Sequence, residues 1–414
     1  MDKTIADLIK KEERNQKEQI YLIPSENFAS EEVRRVLSSV LTNKYAEGYA
    51  GRRYYQGNGV VDEIENLAME RGKKLLEVEH LNVQPYSGSP ANCAVQMALL
   101  EAGDEICGLK LSAGGHLTHG HPKITFSGKY FTSVQYDVEA DGRIDYDKLA
   151  QLVDQTRPKM IMAGTTAYPF VLDWEKFSKI ADSVGVWLVA DVSHIVGLIV
   201  GGVHPSPSAF AHVITSTTHK SLRGPRGAVI GVTKKGLEKD AELAKKIDRA
   251  VFPGLQGGPH ENTIAAMAVA FEEASKPEFK IYARQIVKNA KVLAESLKNK
   301  GYKVFGTENH LMVVDVTDVG PADSRDAPVL AGRGKETAVV LEEAGIIVNA
   351  NTIPHDQASP FRPSGIRIGS PAMTTRGFKE EDFEKVAEWI DRVIKGEDRA
   401  DIREEIKRYL GNFD

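Results

Sequence analysis

The most chemically loaded stretch of the chain is Ser216-Thr217-Thr218-His219-Lys220, followed by Gly224-Pro225-Arg226-Gly227. Lys220 comes just after the apolar, β-branched run from Val213 to Thr217, which places it at a strand end beside hydroxyls and an arginine. Nearby cations and partial burial lower a lysine's pKa and free its amine to form an imine with an aldehyde. Taken alone, an exposed turn would look the same. A second run, Val186 to Ala190, ends at Asp191 and leads into Ser193-His194. A strand-end carboxylate can keep a pyridine nitrogen protonated while a lysine holds the aldehyde of the same ring as a Schiff base, the pairing that pyridoxal phosphate requires. For Asp191 by itself, a helix-capping aspartate is the plainer alternative.

An anionic cofactor also needs a cradle. Ser87-Gly88-Ser89-Pro90 precedes a helix-like stretch, Ala91 to Glu101. Two hydroxyls and open backbone N–H groups at a helix N-terminus form an anion site, although a plain cap would leave the same pattern. The loop Gly114-Gly115-His116-Leu117-Thr118-His119-Gly120-His121 invites a metal, but no carboxylate or cysteine is near it in sequence. No metal is assigned to it. A histidine stacked on a planar ring suits it better, the glycines allowing close backbone approach. Ser364-Gly365-Ile366-Arg367-Ile368 sets an arginine among apolar strand residues. A substrate carboxylate would give that arginine a two-pronged partner, and an internal salt bridge would serve as well. Gly332-Arg333-Gly334-Lys335-Glu336 fails as a nucleotide phosphate loop because Glu336 stands where Ser or Thr is needed.

Elements must carry these groups. Apolar runs at 160–163, 186–190, 213–217 and 227–232 alternate with a helical pattern over 173–184 that contains Trp174, Phe177 and Ile180. Such alternation predicts an α/β domain with a mostly parallel central sheet, in which ligands sit at the C-terminal ends of strands. The last third predicts a smaller α+β domain. Its pattern is a helix over 263–300, strands at 302–305 and 310–316, a helix near 335–345, strands at 346–350 and 365–369, and a helix at 379–395. The first 20 residues read as a charged helix with Ile5, Leu8 and Ile9 on one side, too thin to bury a core of its own. Around 41–60, the stretch TNKYAEGYAGRRYYQGNG holds four tyrosines, two arginines and four glycines, too aromatic for a mere linker. Asp62 is the expected N-cap of the helix that follows it. The expected divisions are an arm over 1–50 that packs on a partner, a large domain over 51–275 and a small one over 276–414.

Composition removes other classes. The chain has 414 residues, 53 basic and 58 acidic, for a net charge of −5, which does not suggest a nucleic-acid binder. Two cysteines, Cys93 and Cys107, cannot build a disulfide framework or a four-thiolate zinc site. The apolar run Ile195 to Val203 is too short to span a membrane. The polar N-terminus carries no apolar signal core, so a cytoplasmic location is expected.

Together the motifs are far more specific than any one of them, and the chain resembles serine hydroxymethyltransferase from about Ile5 to about Val393. The matching blocks are SENF (25–28), TNKYAEGY (42–49), RRYY (52–55), VQPYSGSPAN (83–92), GGHLTHG (114–120), DVSHIVGL (191–198), TSTTHKSLRGPRG (215–227), FPGLQGGPH (252–260) and SGIRIGSPA (364–372). The resemblance implies the aminotransferase-like fold-type I of pyridoxal-phosphate enzymes and an obligate homodimer with shared active sites, and it leaves pairing into tetramers open. It implies that Lys220 holds the cofactor as a Schiff base, Asp191 pairs with the pyridine nitrogen, His116 stacks on the ring and His194 lies near the ring hydroxyl. Ser87, Gly88 and Ser89 would bind the phosphate, with Gly257, Gly258 and Tyr45 of the neighbouring subunit. Arg367 and Ser25 would hold the amino-acid carboxylate. Glu47 and Tyr55, again across the interface, would handle the substrate hydroxyl, with Glu47 moving the proton. Thr217 and His219 join the catalytic group and Arg226 the substrate-binding group. Leu111, Gly115, His116, Leu117, Asn351, Ser359, Pro360 and Phe361 match positions that hold tetrahydrofolate. The implied reaction takes L-serine to glycine and passes a one-carbon unit at the formaldehyde level to N5 of tetrahydrofolate or a modified pterin. Several positions depart from the family pattern, among them Pro24, Tyr86 in place of a common histidine, Asn58-Gly59, Thr166 with Pro169, and His212. A threonine-type aldolase would share the cofactor without folate, and a silent scaffold would have little use for Lys220, Asp191 and Arg367 together.

Overall fold

In a computed structural model, which describes residues 2–319 and 332–413, contacts divide the chain into two units. One comprises residues 29–139 and 143–284, the other the described residues within 1–28, 140–142 and 285–414. The larger unit is built on a sheet of seven strands: β1 (His80–Asn82), β2 (Glu105–Leu109), β3 (Thr132–Tyr136), β4 (Met160–Gly164), β5 (Trp187–Asp191), β6 (Val213–Thr217) and β7 (Ala228–Val232). Their order across the sheet is β1-β7-β6-β5-β4-β2-β3. The neighbours from β3 to β6 run parallel, while β7 lies antiparallel to both β6 and β1. Every residue of β4, β6 and β7 is buried, which is why these strands read as continuous apolar runs rather than as alternating ones.

Cα register sets the place of the chemistry. Asp191 ends β5 opposite Thr215 of β6, and β6 pairs with β7 through Thr217 and Ala228, so residues 218–227 form the connecting loop that carries Lys220. Among the helices are α1 (Lys3–Glu18), α2 (Gly59–Leu76), α3 (Gly88–Leu99) and α4 (Glu261–Ser275). Helix α3 packs on β6 and β7, and α4 packs on α2.

In the smaller unit, β8 (Lys303–Phe305), β9 (Leu311–Asp315), β10 (Asn349–Asn351) and β11 (Gly365–Gly369) form an antiparallel sheet in the order β8-β9-β11-β10. Helices α5 (Glu380–Ile394) and α6 (Arg399–Leu410) contribute Phe383, Trp389, Ile402 and Ile406 to one buried cluster with Met312, Val314 and Ile368. Burial of each such side chain contributes about 1.5–3 kcal/mol before the entropy of ordering is counted. Helix α1 is tied to this unit by Lys407–Glu18 (3.3 Å), while Ile5, Leu8 and Ile9 remain exposed.

Four local expectations are corrected. The helix expected over 263–300 is two, α4 and Pro277–Asn299, because Pro277 forces Lys276 into an extended conformation. Asp62 does not cap its helix. Asn58 is the N-cap, and the Asp62 carboxylate accepts instead from the Gly51 N–H and Arg53 Nε, each at 2.8 Å. The strand expected at 346–350 splits: Ile346–Ile347 pairs with Ile20–Tyr21, and only Asn349–Asn351 joins the sheet. The helix expected from Ala91 starts earlier, at Gly88, which makes Pro90 its third residue.

Candidate functional site

The ends of β5 and β6 are stitched together where the chemistry was expected. The Thr217 N–H donates to Ser193 Oγ (3.0 Å) and Thr217 Oγ1 to the Ser193 carbonyl (3.4 Å). The loop after β6 is fixed by its own backbone: the Gly224 N–H donates to the Thr218 carbonyl at 2.7 Å, and Thr218 Oγ1 to the Pro225 carbonyl at 2.6 Å. Lys220 therefore sits, half-buried, on a rigid turn. His219 beside it has a buried Nδ1 with no hydrogen-bond partner, and burial followed by Arg226 and Lys220 lowers its pKa to about 3. Arg226 is exposed. His194 is buried, its carbonyl accepting from Ser221 Oγ at 3.0 Å.

Asp191 is 7% exposed and is held by three donors. Its Oδ2 accepts from His119 Nε2 (2.9 Å) and Asn92 Nδ2 (2.8 Å), and its Oδ1 from the Ser193 N–H (3.1 Å). Burial alone would raise its pKa. The bonds from His119 and Asn92 outweigh it and hold the carboxyl well below the usual range. Asn92 also donates to Thr118 Oγ1 and accepts from Thr215 Oγ1, at 2.8 and 2.7 Å. Thr118 in turn contacts His116: Nδ1 of the ring lies 2.8 Å from Thr118 Oγ1 and accepts from the Thr118 N–H at 3.2 Å. Burial first, then His119, lowers the His116 pKa to about 4, so its ring is neutral at pH 7. Thr166 donates from Oγ1 to the Gly115 carbonyl at 2.9 Å and buttresses the glycine loop ahead of His116.

Ser87 is the N-cap of α3, yet its hydroxyl makes no capping bond, so the first N–H groups of the helix are left open. Gly88 is required there: a Cβ would lie 2.7 Å from Thr217 Cγ2, so the cradle is pressed against the end of β6. An ionised acceptor-only carboxylate, a neutral half-buried ring, an uncapped helix N-terminus with two serine hydroxyls and a strand-end lysine thus converge within one unit. These residues fit a flat, anionic pyridine aldehyde. No group of three or more His, Cys, Asp or Glu that could hold a metal is found among the described residues.

A second group in the same unit is exposed. Tyr45 and Tyr55 meet edge to face with centroids 5.0 Å apart, and the Tyr45 hydroxyl donates to Glu47 Oε1 at 3.1 Å. Gly257 and Gly258 pack under them. A Cβ at Gly257 would lie 3.0 Å from Glu47 Oε1, and one at Gly258 would lie 3.5 Å from the Tyr45 ring. The structure thus gathers Tyr45, Glu47, Tyr55, Gly257 and Gly258 into one cluster.

Other expected site residues belong to the smaller unit. Arg367 lies in β11 directly opposite Asn349, whose Oδ1 accepts from Arg367 Nε at 3.0 Å. Burial lowers the Arg367 pKa to about 10. The segment before Ser25 runs along the same strand, since the Gly369 N–H donates to the Leu22 carbonyl at 2.8 Å. Asn351 sits at the end of β10, and Ser359, Pro360 and Phe361 form an exposed loop, Phe361 being 89% exposed. Leu111, Gly115 and Leu117 belong to the larger unit, with Leu111 and Leu117 exposed.

Sequence reasoning missed Asn92, Thr118 and His119. No carboxylate is near the histidine loop in sequence, but Asp191 reaches His119 across the fold. A signal existed: Asn92 and Gln96 stand one helical turn apart among Ala91, Ala94 and Val95 on the buried face of α3. Gln96 Nε2 donates to the Thr118 carbonyl at 2.6 Å.

A family model described as serine hydroxymethyltransferase matches residues 1–390. The chain is 52% identical over 406 residues to serine hydroxymethyltransferase of Acidothermus cellulolyticus, covering 96% of this chain and 91% of that protein. It is 47% identical over 418 residues to the protein of that name from Desulfotalea psychrophila, covering 100% and 94%. With that of Sorangium cellulosum it shares 52% over 398 residues, covering 95% and 90%.

Proposed function

The chain belongs to the serine hydroxymethyltransferase family, and from that premise we propose how its own residues divide the work. The reaction is the reversible transfer of the hydroxymethyl carbon of serine to tetrahydrofolate, giving glycine and 5,10-methylenetetrahydrofolate, with pyridoxal phosphate as cofactor. Bound pyridoxal phosphate supplies an aldehyde for amine capture and a protonated ring that takes up the electron pair of a breaking bond. One observation carries the assignment of residues: an ionised Asp191, held by three donors, ends the strand beside the turn that bears Lys220.

In this reading Asp191 would hold a proton at the pyridine nitrogen, and Lys220 Nζ would be the amine that holds the cofactor aldehyde. The neutral His116 ring would stack on the cofactor ring. His194 lies near the ring hydroxyl, and Thr217, His219 and Arg226 line the approach. The N–H groups and hydroxyls of Ser87, Gly88 and Ser89 take the phosphate, favoured by the α3 N-terminus. Arg367, aligned by Asn349, grips the amino-acid carboxylate with Ser25. Glu47 accepts and returns the proton of the substrate hydroxyl, with Tyr55 beside it. Leu111, Gly115, Leu117, Asn351 and Ser359 to Phe361 receive the folate.

The exposed cluster supports a homodimer with shared sites, in which Tyr45, Glu47, Tyr55, Gly257 and Gly258 complete the partner's cradle. The exposed Ile5, Leu8 and Ile9 face of α1 supports an N-terminal arm that lies on the partner. A cytoplasmic setting belongs to the same proposal, and no described helix is long and apolar enough to cross a membrane. Replacing Lys220 with Ala should abolish both cofactor capture, read as loss of the yellow absorbance, and folate-dependent conversion of serine to glycine. Undiminished turnover in that variant would overturn the assignment.

A further inference from the structure

Tyr86 immediately precedes the cradle. Its ring lies flat on His260, with centroids 4.2 Å apart and planes 6° from parallel. Its hydroxyl donates to the Gly258 carbonyl at 2.8 Å, and its N–H donates to Gln256 Oε1 at 3.0 Å. Gln256 answers by donating from Nε2 to the Gln84 carbonyl at 2.8 Å. Residues 84–86 and 256–260 are therefore clamped by three hydrogen bonds and a stacked ring pair. Burial raises the Tyr86 pKa, so its hydroxyl stays a donor at neutral pH.

The clamp matters because of what it holds. Gly257 and Gly258 have no side chains with which to fix themselves, and glycine loses more conformational freedom on ordering than any other residue. Phosphate binding by backbone N–H groups is tight only when those groups are ordered beforehand. Tyr86 is bonded to Gly258 on one side and covalently joined to Ser87 on the other. It is the shortest path between a chain's own cradle and the glycine segment.

We propose that Tyr86 and His260 are positioning residues, a latch that holds the Gly257–Gly258 segment in register with the Ser87 turn and so preorders the phosphate site. The inference rests on the shared-site reading above, in that the latched segment serves the partner's cradle while the Ser87 turn serves the chain's own.

The test is titration of the full-length apo-protein with pyridoxal phosphate and, separately, with pyridoxal, which lacks the phosphate. Tyr86→Phe, which keeps the stack and loses the hydroxyl, should weaken pyridoxal phosphate binding about three- to tenfold, the worth of one hydrogen bond. His260→Ala should weaken it by a similar factor, and His260→Phe, which restores a flat ring, should return it to within about twofold of the parent. Pyridoxal affinity should stay unchanged throughout. Unchanged pyridoxal phosphate affinity in the first two variants, or equal weakening of both ligands, would overturn the latch. Sedimentation of the parent keeps the two ideas apart. A parent that sediments as a monomer yet binds the cofactor would overturn the shared-site clause, whereas variants that remain dimeric and weaken both ligands equally would overturn the latch itself.

Discussion

The larger unit contains two polar regions built on opposite plans. Around Asp191 a buried carboxylate takes bonds from α3, the histidine loop and the turn after β5, and the chain completes this region by itself. Around Glu47 the groups are solvent-facing, with Tyr45 56% and Tyr55 47% exposed, and the carboxylate takes one bond, from its neighbour Tyr45. The first is a fixed electrostatic environment, in which low local dielectric makes each bond count. The second has the composition of a surface meant to be covered: aromatic, glycine-rich and carrying an acid. The proposed chemistry divides along the same line. Electron uptake needs a charge that does not move, while proton shuttling needs a group that meets the substrate only when the site closes around it.

Substitution should expose the difference. Asp191→Asn replaces an acceptor with an amide whose N–H₂ must face a donor in either orientation, His119 and Asn92 on one side or the Ser193 N–H on the other, so it should damage fold and catalysis together. Turnover should fall on the order of 10³-fold, and thermal stability should drop by about 1–3 kcal/mol from the mispaired donors. Kinetics and a melting curve on one preparation check both. Glu47→Gln should separate the two effects, with turnover falling on the order of 10²-fold and the melting curve unmoved. A Glu47→Gln protein that melts much earlier than the parent would show that the exposed region is built like the buried one, and the comparison would break.

The two regions also differed in how far the amino-acid sequence revealed them. Strands β4 to β7 were legible because a central sheet buried on both faces favours unbroken apolar or β-branched runs, and a polar residue that ends such a run marks the ligand edge. Asp191 and Lys220 were found in this way. Asn92, Thr118 and His119 were not, because their roles exist only once three distant segments meet. The break between α4 and the next helix was written in Pro277 and overlooked in favour of a long helical periodicity. The segment around 41–60 was legible as odd, but composition could not say what its tyrosines face. Resemblance to a family filled that gap, and the clustering of Tyr45 and Glu47 on Gly257 and Gly258 is its structural counterpart.

Glu261 sharpens the comparison further, since it is a buried acid that lacks what Asp191 has. It opens α4, three residues after Gly258, is 1% exposed, and neither of its carboxylate oxygens has a hydrogen-bond partner. The charged groups around it are Glu65 and Asp62 of α2, with Arg53 and Lys44 from the tyrosine-rich segment. Arg53 is already committed, bonding Glu65 at 2.6 Å and the Ala46 and Gly48 carbonyls on either side of Glu47 at 2.8 and 3.0 Å. Burial, reinforced by Glu65, therefore raises the Glu261 pKa from 4.5 to about 8. The folded chain then holds a proton that the unfolded chain releases above its ordinary carboxyl pKa. Stability contributed by this group is complete below pH 4.5, declines as pH rises through the interval up to about 8, and stays lost above it. Glu261→Gln keeps the shape and cannot ionise, so the variant and the parent should unfold alike at pH 4.5. Above pH 8 the variant should be the more stable by roughly 5 kcal/mol. Urea unfolding midpoints at the two pH values decide the matter. Parallel pH profiles would mean that Glu261 finds a cation in the assembled protein, and that the ground beneath the exposed region is satisfied after all, as it is around Asp191.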